Sequence, residues 1–308
     1  MKKTGLATLA ALLLCAVLAS GCSTPEPDEV LYIVGVSQAN LIESWQLDLN
    51  EEIKQAAGAY KNVKVMYADA GGSEEKQSAD IEDMLAWEVD AIIVTLCSTE
   101  AVAPMLQKAY ESGIEIIEIG DAPDAQYYSA RIYTDNRKIG VMAGECAAGL
   151  LGGKGIVLEM QGDVYTKAAR ERKEGFLEAL ESYPEIIKRY VVIGGWTRDG
   201  AATALKASTL LERELVPQLI FAHNDEMAIG ASKVAEEMSL DIMIIGVDAL
   251  SGENKGLTAL KDGWLDATIS NGPGGREAVE YVVRLLGGET IPREIELEPK
   301  LYTAEDVR

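Results

Sequence analysis

Hydrogen-bonding side chains recur at one place in the pattern of this sequence, immediately after short apolar runs, and theirs is the chemistry that can be read first. Ser37 and Gln38, Thr95, Asp121, Asp135 with Asn136, and Gln161 stand there; so do Trp196, His223 with Asn224 and Asp225, Asp248 and Asn271. The set is rich in amides, carboxylates and hydroxyls and poor in nucleophile and base pairs. Such groups suit a ligand with a fixed array of hydroxyls that both donate and accept, as a sugar has. The C–H faces of a sugar ring pack on aromatic planes, and Trp45 and Trp196 are candidates for two of these, with core filling as the alternative for each. Catalysis finds little support. His223 is the only histidine, and the chain shows no nucleophile elbow, phosphate-cradling glycine loop or metal-ligand cluster, so no cofactor or metal is expected. Glycoside hydrolysis needs two carboxylates flanking one bond, for which Asp121 and Asp248 are a candidate pair, and nothing else favours it.

The runs that carry these residues are short and β-rich. They are Leu31 to Val36, Val63 to Ala68, Ala91 to Leu96, Ile114 to Ile119 and Arg131 to Tyr133, then Gly155 to Met160, Tyr190 to Ile193, Gln218 to Ala222, Ile242 to Val247 and Ala267 to Ser270. Between them lie segments with apolar residues at helical spacing: Glu43 to Tyr60, Glu74 to Trp87, Thr99 to Ser112, Asn136 to Leu151, Ala168 to Ser182, Gly200 to Leu215, Glu226 to Met238, Gly252 to Asp262 and Arg276 to Leu286. Alternation of this kind predicts βαβ units on parallel sheets, and two series predict two sheets. Runs such as Ala91-Ile92-Ile93-Val94, apolar without alternation, fit sheets covered by helices on both faces. Ligands of such sheets sit beyond the carboxyl ends of the strands, where the polar residues cluster.

The N-terminus carries Lys2 and Lys3, then an uncharged apolar run from Gly5 to Ala19. That run is shorter than the ~20 residues of a membrane-spanning helix and reads as a cleavable export signal, residues 1–21. Leu18-Ala19-Ser20-Gly21-Cys22 resembles the bacterial lipobox, which implies that Cys22 is acylated and becomes the new N-terminus. Residues 22–29, with two prolines and no apolar residue after the cysteine, read as a tether. Removing the leader's two lysines moves the net charge from −22 to −24. A body so acidic repels nucleic acid and anionic membrane surfaces, leaving the lipid as the attachment. Cys97 and Cys146 alone remain in the body, too few for a disulfide framework, and read as buried small hydrophobes. The length suits two domains.

The order and spacing of several segments resemble the periplasmic sugar-binding proteins of the ribose/galactose type, the type I solute-binding proteins of ABC transporters. These share a fold with the ligand domains of lactose-repressor-like regulators. The resemblance runs from about Tyr32 to Tyr302. Its carriers are Gly35-Val36-Ser37-Gln38 with Trp45, Thr134 to Gly140, Glu159-Met160-Gln161-Gly162, Ala168 to Phe176, Phe221 to Gly230, and Gly246-Val247-Asp248. It implies two doubly wound lobes joined by a three-stranded hinge, with crossings near residues 134, 271 and 297. The first lobe would hold residues 30–133 plus 272–297, and the second 134–271 plus 298–308. It also implies that Arg170 grips sugar oxygens with its guanidinium fork, that Asn224 and Asp248 meet hydroxyls, that Ser37 and Trp45 serve from the first lobe, and that Trp196 stands at an aromatic position. The alternative for Arg170 is a surface ion pair with Glu174, and Asp135 and Asn136 read as helix-capping residues.

Three positions depart from the family pattern. Gly120-Asp121-Ala122-Pro123 stands where the family commonly has Asp-Arg, Thr95 where ribose binders have a larger amide, and Asn271 where glutamine is usual. The segment Ser37-Gln38…Ser44-Trp45 is more similar to binders of galactofuranose-type sugars. The expectation is therefore a monomeric, exported, lipid-anchored protein that passes a monosaccharide to an ABC transporter permease, or reports it to a membrane sensor. A DNA-binding regulator would need a basic headpiece where this chain has its leader.

Overall fold

In Ala91–Val94 every side chain is buried, so this strand has no face for water and must be covered by helices on both sides. The same logic runs through the molecule. The structure, a computed structural model, describes residues 30–120, 126–208 and 216–308. The expected leader, Cys22 and its tether, Asp121 and the end of the helix expected over Gly200 to Leu215 lie outside the described residues. The first lobe is built from β1 (Tyr32–Gln38), α1 (Ser44–Ala57), β2 (Val63–Asp69), α2 (Glu74–Ala86), β3 (Ala91–Val94), α3 (Thr99–Glu111), β4 (Glu115–Ile119) and β5 (Ala130–Tyr133). The second lobe takes α4 (Asn136–Leu151), β6 (Lys154–Gln161), α5 (Lys167–Leu180), β7 (Glu185–Ile193), α6 (Arg198–Ala207), β8 (Leu219–Ala222), α7 (Asp225–Glu237), β9 (Met243–Asp248), α8 (Gly256–Lys261) and β10 (Ala267–Ser270). The chain then adds α9 (Gly275–Leu286), β11 (Glu294–Glu296) and β12 (Leu301–Thr303).

Two six-stranded sheets result, ordered β11-β5-β4-β3-β1-β2 and β12-β10-β9-β8-β6-β7. The pairings are parallel except β10 with β12. The chain leaves the first sheet after β5. It returns after β10 to lay α9 against α1, and passes to the second sheet again between β11 and β12. Each sheet has an apolar cluster on either face. Leu49, Ile53, Ile93 and Ile117 centre one side of the first sheet, and Ile81, Ile92 and Ile116 the other. Leu158, Met160 and Ile220 do so in the second sheet, opposite Val157, Phe176 and Phe221. Among the described residues no helix is long and apolar enough to cross a membrane.

Two features went beyond expectation. β11 and β12 have three residues each and in β11 only Ile295 is buried, so neither presents an apolar run. β7 begins at Glu185 rather than Tyr190, because a bulge opposite Val157/Leu158 interrupts its alternation.

Helices α4 and α5 meet backbone to backbone. A Cβ on Gly175 would lie 2.0 Å from the Arg137 carbonyl oxygen, and one on Gly140 2.2 Å from that of Arg172. The contact fixes where α5 presents Arg172. Gly175→Ala should therefore destabilise the fold by about 1–3 kcal/mol through overpacking, read as a lowered thermal midpoint; an unchanged midpoint would show that the helices separate freely.

Candidate ligand-binding site

The carboxyl ends of both sheets face one cavity of about 380 Å³. Asn40, Glu43, Trp45 and Gln46 line it from the first lobe, and Thr166, Arg172, Trp196, Asn224 and Asp248 from the second. Thr134, Asn136 and Asn271 line it where the chain crosses.

Arg172 is the most constrained of these, 3 % exposed on the inner face of α5. Its Nε donates to Asn136 Oδ1 at 2.8 Å, its Nη1 donates to the His223 carbonyl, and its guanidinium lies 5.8 Å over the Trp196 ring. Arg170, two residues earlier, is exposed and donates to the Tyr165 carbonyl, so the helix carries it away from the cavity. The correction is legible in the spacing: Ala169, Arg172 and Phe176 share the buried face of α5, and Arg170 lies off it.

Trp196 sits at φ +65 and packs over Gly162, where a Cβ would come within 2.1 Å of its ring. Asn224 holds that strained backbone: its Nδ2 donates to the Trp196 carbonyl at 2.9 Å, and its Oδ1 caps α7 by accepting from Met227 N at 2.9 Å. Asp248 ends β9 at φ 115 and accepts from Asn271 Nδ2 at 3.2 Å. Burial pushes its carboxyl up to about 7, while the Arg172 charge and the Asn271 bond pull the other way. Asp225, wholly buried beside it, is raised by burial and by the Asp248 charge, although it accepts from Thr268 Oγ1 and Ala249 N. Trp45 Nε1 donates to the Asn271 carbonyl at 2.9 Å, tying the first lobe to the crossing.

Ser37, Gln38 and Thr95 do not reach the cavity. They are buried one layer below, in an amide network under α1 and α2. Gln38 Nε2 donates to the Gln46 carbonyl at 2.8 Å, Asn50 Nδ2 donates to Gln38 Oε1 at 2.6 Å, and Thr95 Oγ1 donates to Gln46 Oε1 at 3.2 Å. Gln77 Nε2 donates to Ser37 Oγ at 3.2 Å and to the Thr95 carbonyl at 2.7 Å. They brace Gln46, which does line the cavity. Asp135 is the N-cap of α4, accepting from Arg137 N and Lys138 N at 2.9 and 3.0 Å, whereas its neighbour Asn136 faces the cavity. Glu43, Gln46 and Arg172 were missed because they stand on helix faces or before a helix, not at strand ends.

Below Trp196, Glu159 and His223 are wholly buried, with Glu159 Oε1 3.1 Å from His223 Nε2 and Oε2 2.5 Å from Lys188 Nζ. Burial holds the imidazole below its ordinary range, so the neutral ring donates from Nε2. Cys97 and Cys146 are free and half-buried rather than fully buried, and burial pushes both thiols up, Cys146 to about 11, which leaves them unreactive at neutral pH.

Contacts cross between the lobes at the rim. Ser44 Oγ donates to Glu226 Oε1 at 3.0 Å and Lys255 pairs with Asp48, while within the second lobe Arg198 steadies Glu226 from Nε and Nη2 at 3.0 Å each. Such bridges hold the lobes closed over the cavity.

The family profile described as "Periplasmic binding protein domain" matches residues 34–290. The ribose import binding protein of Bacillus subtilis is 28% identical over 274 residues, covering 88% of this chain and 87% of its own. An ABC transporter solute-binding protein from Bacillus halodurans, solved with myo-inositol, superposes with TM-score 0.82 at 25% identity, over 92% of this chain and 98% of its own. A fructose-binding periplasmic domain of a hybrid two-component system does so with TM-score 0.81 at 28% identity, over 90% and 92%.

Proposed function

The chain belongs to the family of periplasmic binding protein domains, and from that premise we propose that it captures a monosaccharide between its two lobes and delivers it to an ABC transporter permease. The observation that carries this reading is the cavity itself, where Arg172, Asp248, Asn224 and Asn271 are held rigidly beside Trp196 and Trp45. The relatives named for ribose, myo-inositol and fructose support it. If four charge-assisted hydrogen bonds contribute roughly 1.5–3 kcal/mol each, their sum brackets the ~8 kcal/mol of a micromolar complex. Ring stacking then adds selectivity. The lobes divide as residues 30–133 plus 272–297 and 134–271 plus 298–308, and hinge closure turns binding into a shape that a membrane partner reads.

A thermal-shift screen of pentoses, hexoses and small polyols tests the reading. The cognate sugar should stabilise the protein by about 4 kcal/mol at a thousandfold excess over its Kd, and a panel without any stabiliser would contradict it. The reading includes a monomer, with no turnover: nitrophenyl glycosides should yield no product under conditions where the free sugar binds.

The proposed lipid on Cys22 anchors the protein outside the cytoplasmic membrane. Cys22→Ser should move it from the membrane to the soluble fraction, and retention at the membrane would refute the anchor. The two-component relative favours a second reading, a receptor for a membrane sensor, since both roles present the same closed lobes. Sugar-dependent stimulation of a permease's ATPase partner in reconstituted vesicles would assign import.

A further inference from the structure

The charges around the cavity do not balance. Among the described lining residues Arg172 is the one cation, against the carboxylates of Glu43 and Asp248. Arg172 is itself engaged by Asn136 and the His223 carbonyl, and its charge acts on Asp248. Neighbouring carboxylates at the rim have partners, Glu226 in Arg198 and Asp48 in Lys255. Glu43 has none of that kind: among the described residues it makes no ion pair, and its side chain accepts a single bond, from Asn40 Nδ2 at 3.2 Å. It occupies the N-cap of α1 without capping it, leaving the carboxylate to the cleft. A second observation points to a ligand at the same place. Thr134 lines the cavity, is 6 % exposed, and its buried Oγ1 has no hydrogen-bond partner.

Resting on the sugar-binding reading above, we propose that the cleft takes a polyhydroxylated ring bearing a protonated amino group, with the ammonium against Glu43 and Asp248 and ring hydroxyls on Arg172, Thr134 and the flanking amides. A neutral sugar would enclose the Glu43 carboxylate without a countercharge, since the single guanidinium acts on Asp248. An ammonium supplies that charge and donates to both in charge-assisted bonds. Glu43 also raises the Asp248 carboxyl, which is the direction a cationic ligand reverses.

Calorimetric titration tests this with the 2-, 3- and 6-amino-deoxy forms of D-glucose and D-galactose. Each is set against its neutral parent and, as a control for size, its N-acetyl derivative. At least one amine should bind tenfold or more tightly than its parent and its acetyl form. Glu43→Gln should cut that ratio at least fivefold, while Glu51→Gln, on the exposed side of α1, leaves it unchanged. Parents that match or exceed every amine, or a ratio that survives Glu43→Gln, overturn the proposal and leave the sugar-binding reading standing. If neither amines nor any neutral sugar of the screen binds, both fall.

Discussion

Replacing Arg172 by alanine lowers affinity for the bound ring by about 2–4 kcal/mol, roughly thirtyfold to a thousandfold, while Arg170→Ala leaves it within twofold. The asymmetry follows from position. Arg172 is buried against Trp196 and bonded on two sides, so its fork is pre-set before ligand arrives and none of its direction is lost on binding. Truncation also strips the donor from Asn136 Oδ1 and the His223 carbonyl, so the variant's thermal midpoint falls as well. Arg172→Lys separates the two effects: it restores charge without the planar fork and should recover only part of the affinity. An Arg172→Ala affinity within twofold of wild type, or a loss at Arg170→Ala as large as that at Arg172→Ala, would contradict this placement.

Glu159→Ala destabilises the second lobe by about 3–5 kcal/mol, because it leaves Lys188 and the His223 N–H without their buried acceptor. The pH dependence carries its signature. Burial alone would raise the Glu159 carboxyl, but the His223 bond and the Lys188 ion pair outweigh it and hold the group down at about 2. Its folded value lies below the ordinary 4.5, so the stabilisation is fully present above pH 4.5 and is lost as pH falls toward about 2. That shift is worth at most about 3 kcal/mol. The gap in melting temperature between wild type and Glu159→Gln should therefore close between pH 4.5 and 2, since glutamine cannot titrate. A gap that stays constant across that range would mean that the charge of Glu159 contributes nothing.

Much of the scaffold was readable from residues. Strands such as Ala91–Val94 and Met243–Asp248 announce themselves because a run rich in Ile and Val bounded by turns has no other stable place, and Asn136–Leu151 because its cap and its small-residue face agree. The three-residue strands Glu294–Glu296 and Leu301–Thr303 did not, since they are held by their neighbours' backbones and not by side-chain burial. The site divides in the same way. Asp248, Asn271 and Trp196 end or follow strands, and the rule that ligands meet sheet ends finds them. That rule names a layer without saying whether a side chain rises into the cleft or turns beneath it. Gln38 and Thr95 turn beneath because Gln46 and Asn50 of α1 offer amides there. Arg172 reaches the cavity because glycines let α5 lie against α4, a close approach visible only once both helices are placed.

Capture by this protein depends on a polar clamp closed by both lobes around one small polyhydroxylated molecule. The measurement that meets it most directly is a crystal structure grown with the ligand that most stabilises the protein. The ring should lie between Trp45 and Trp196, with oxygens or nitrogen within hydrogen-bonding distance of Arg172, Asp248 and Asn271. Ligand density elsewhere on the molecule, with the cleft empty at saturating concentration, would contradict it.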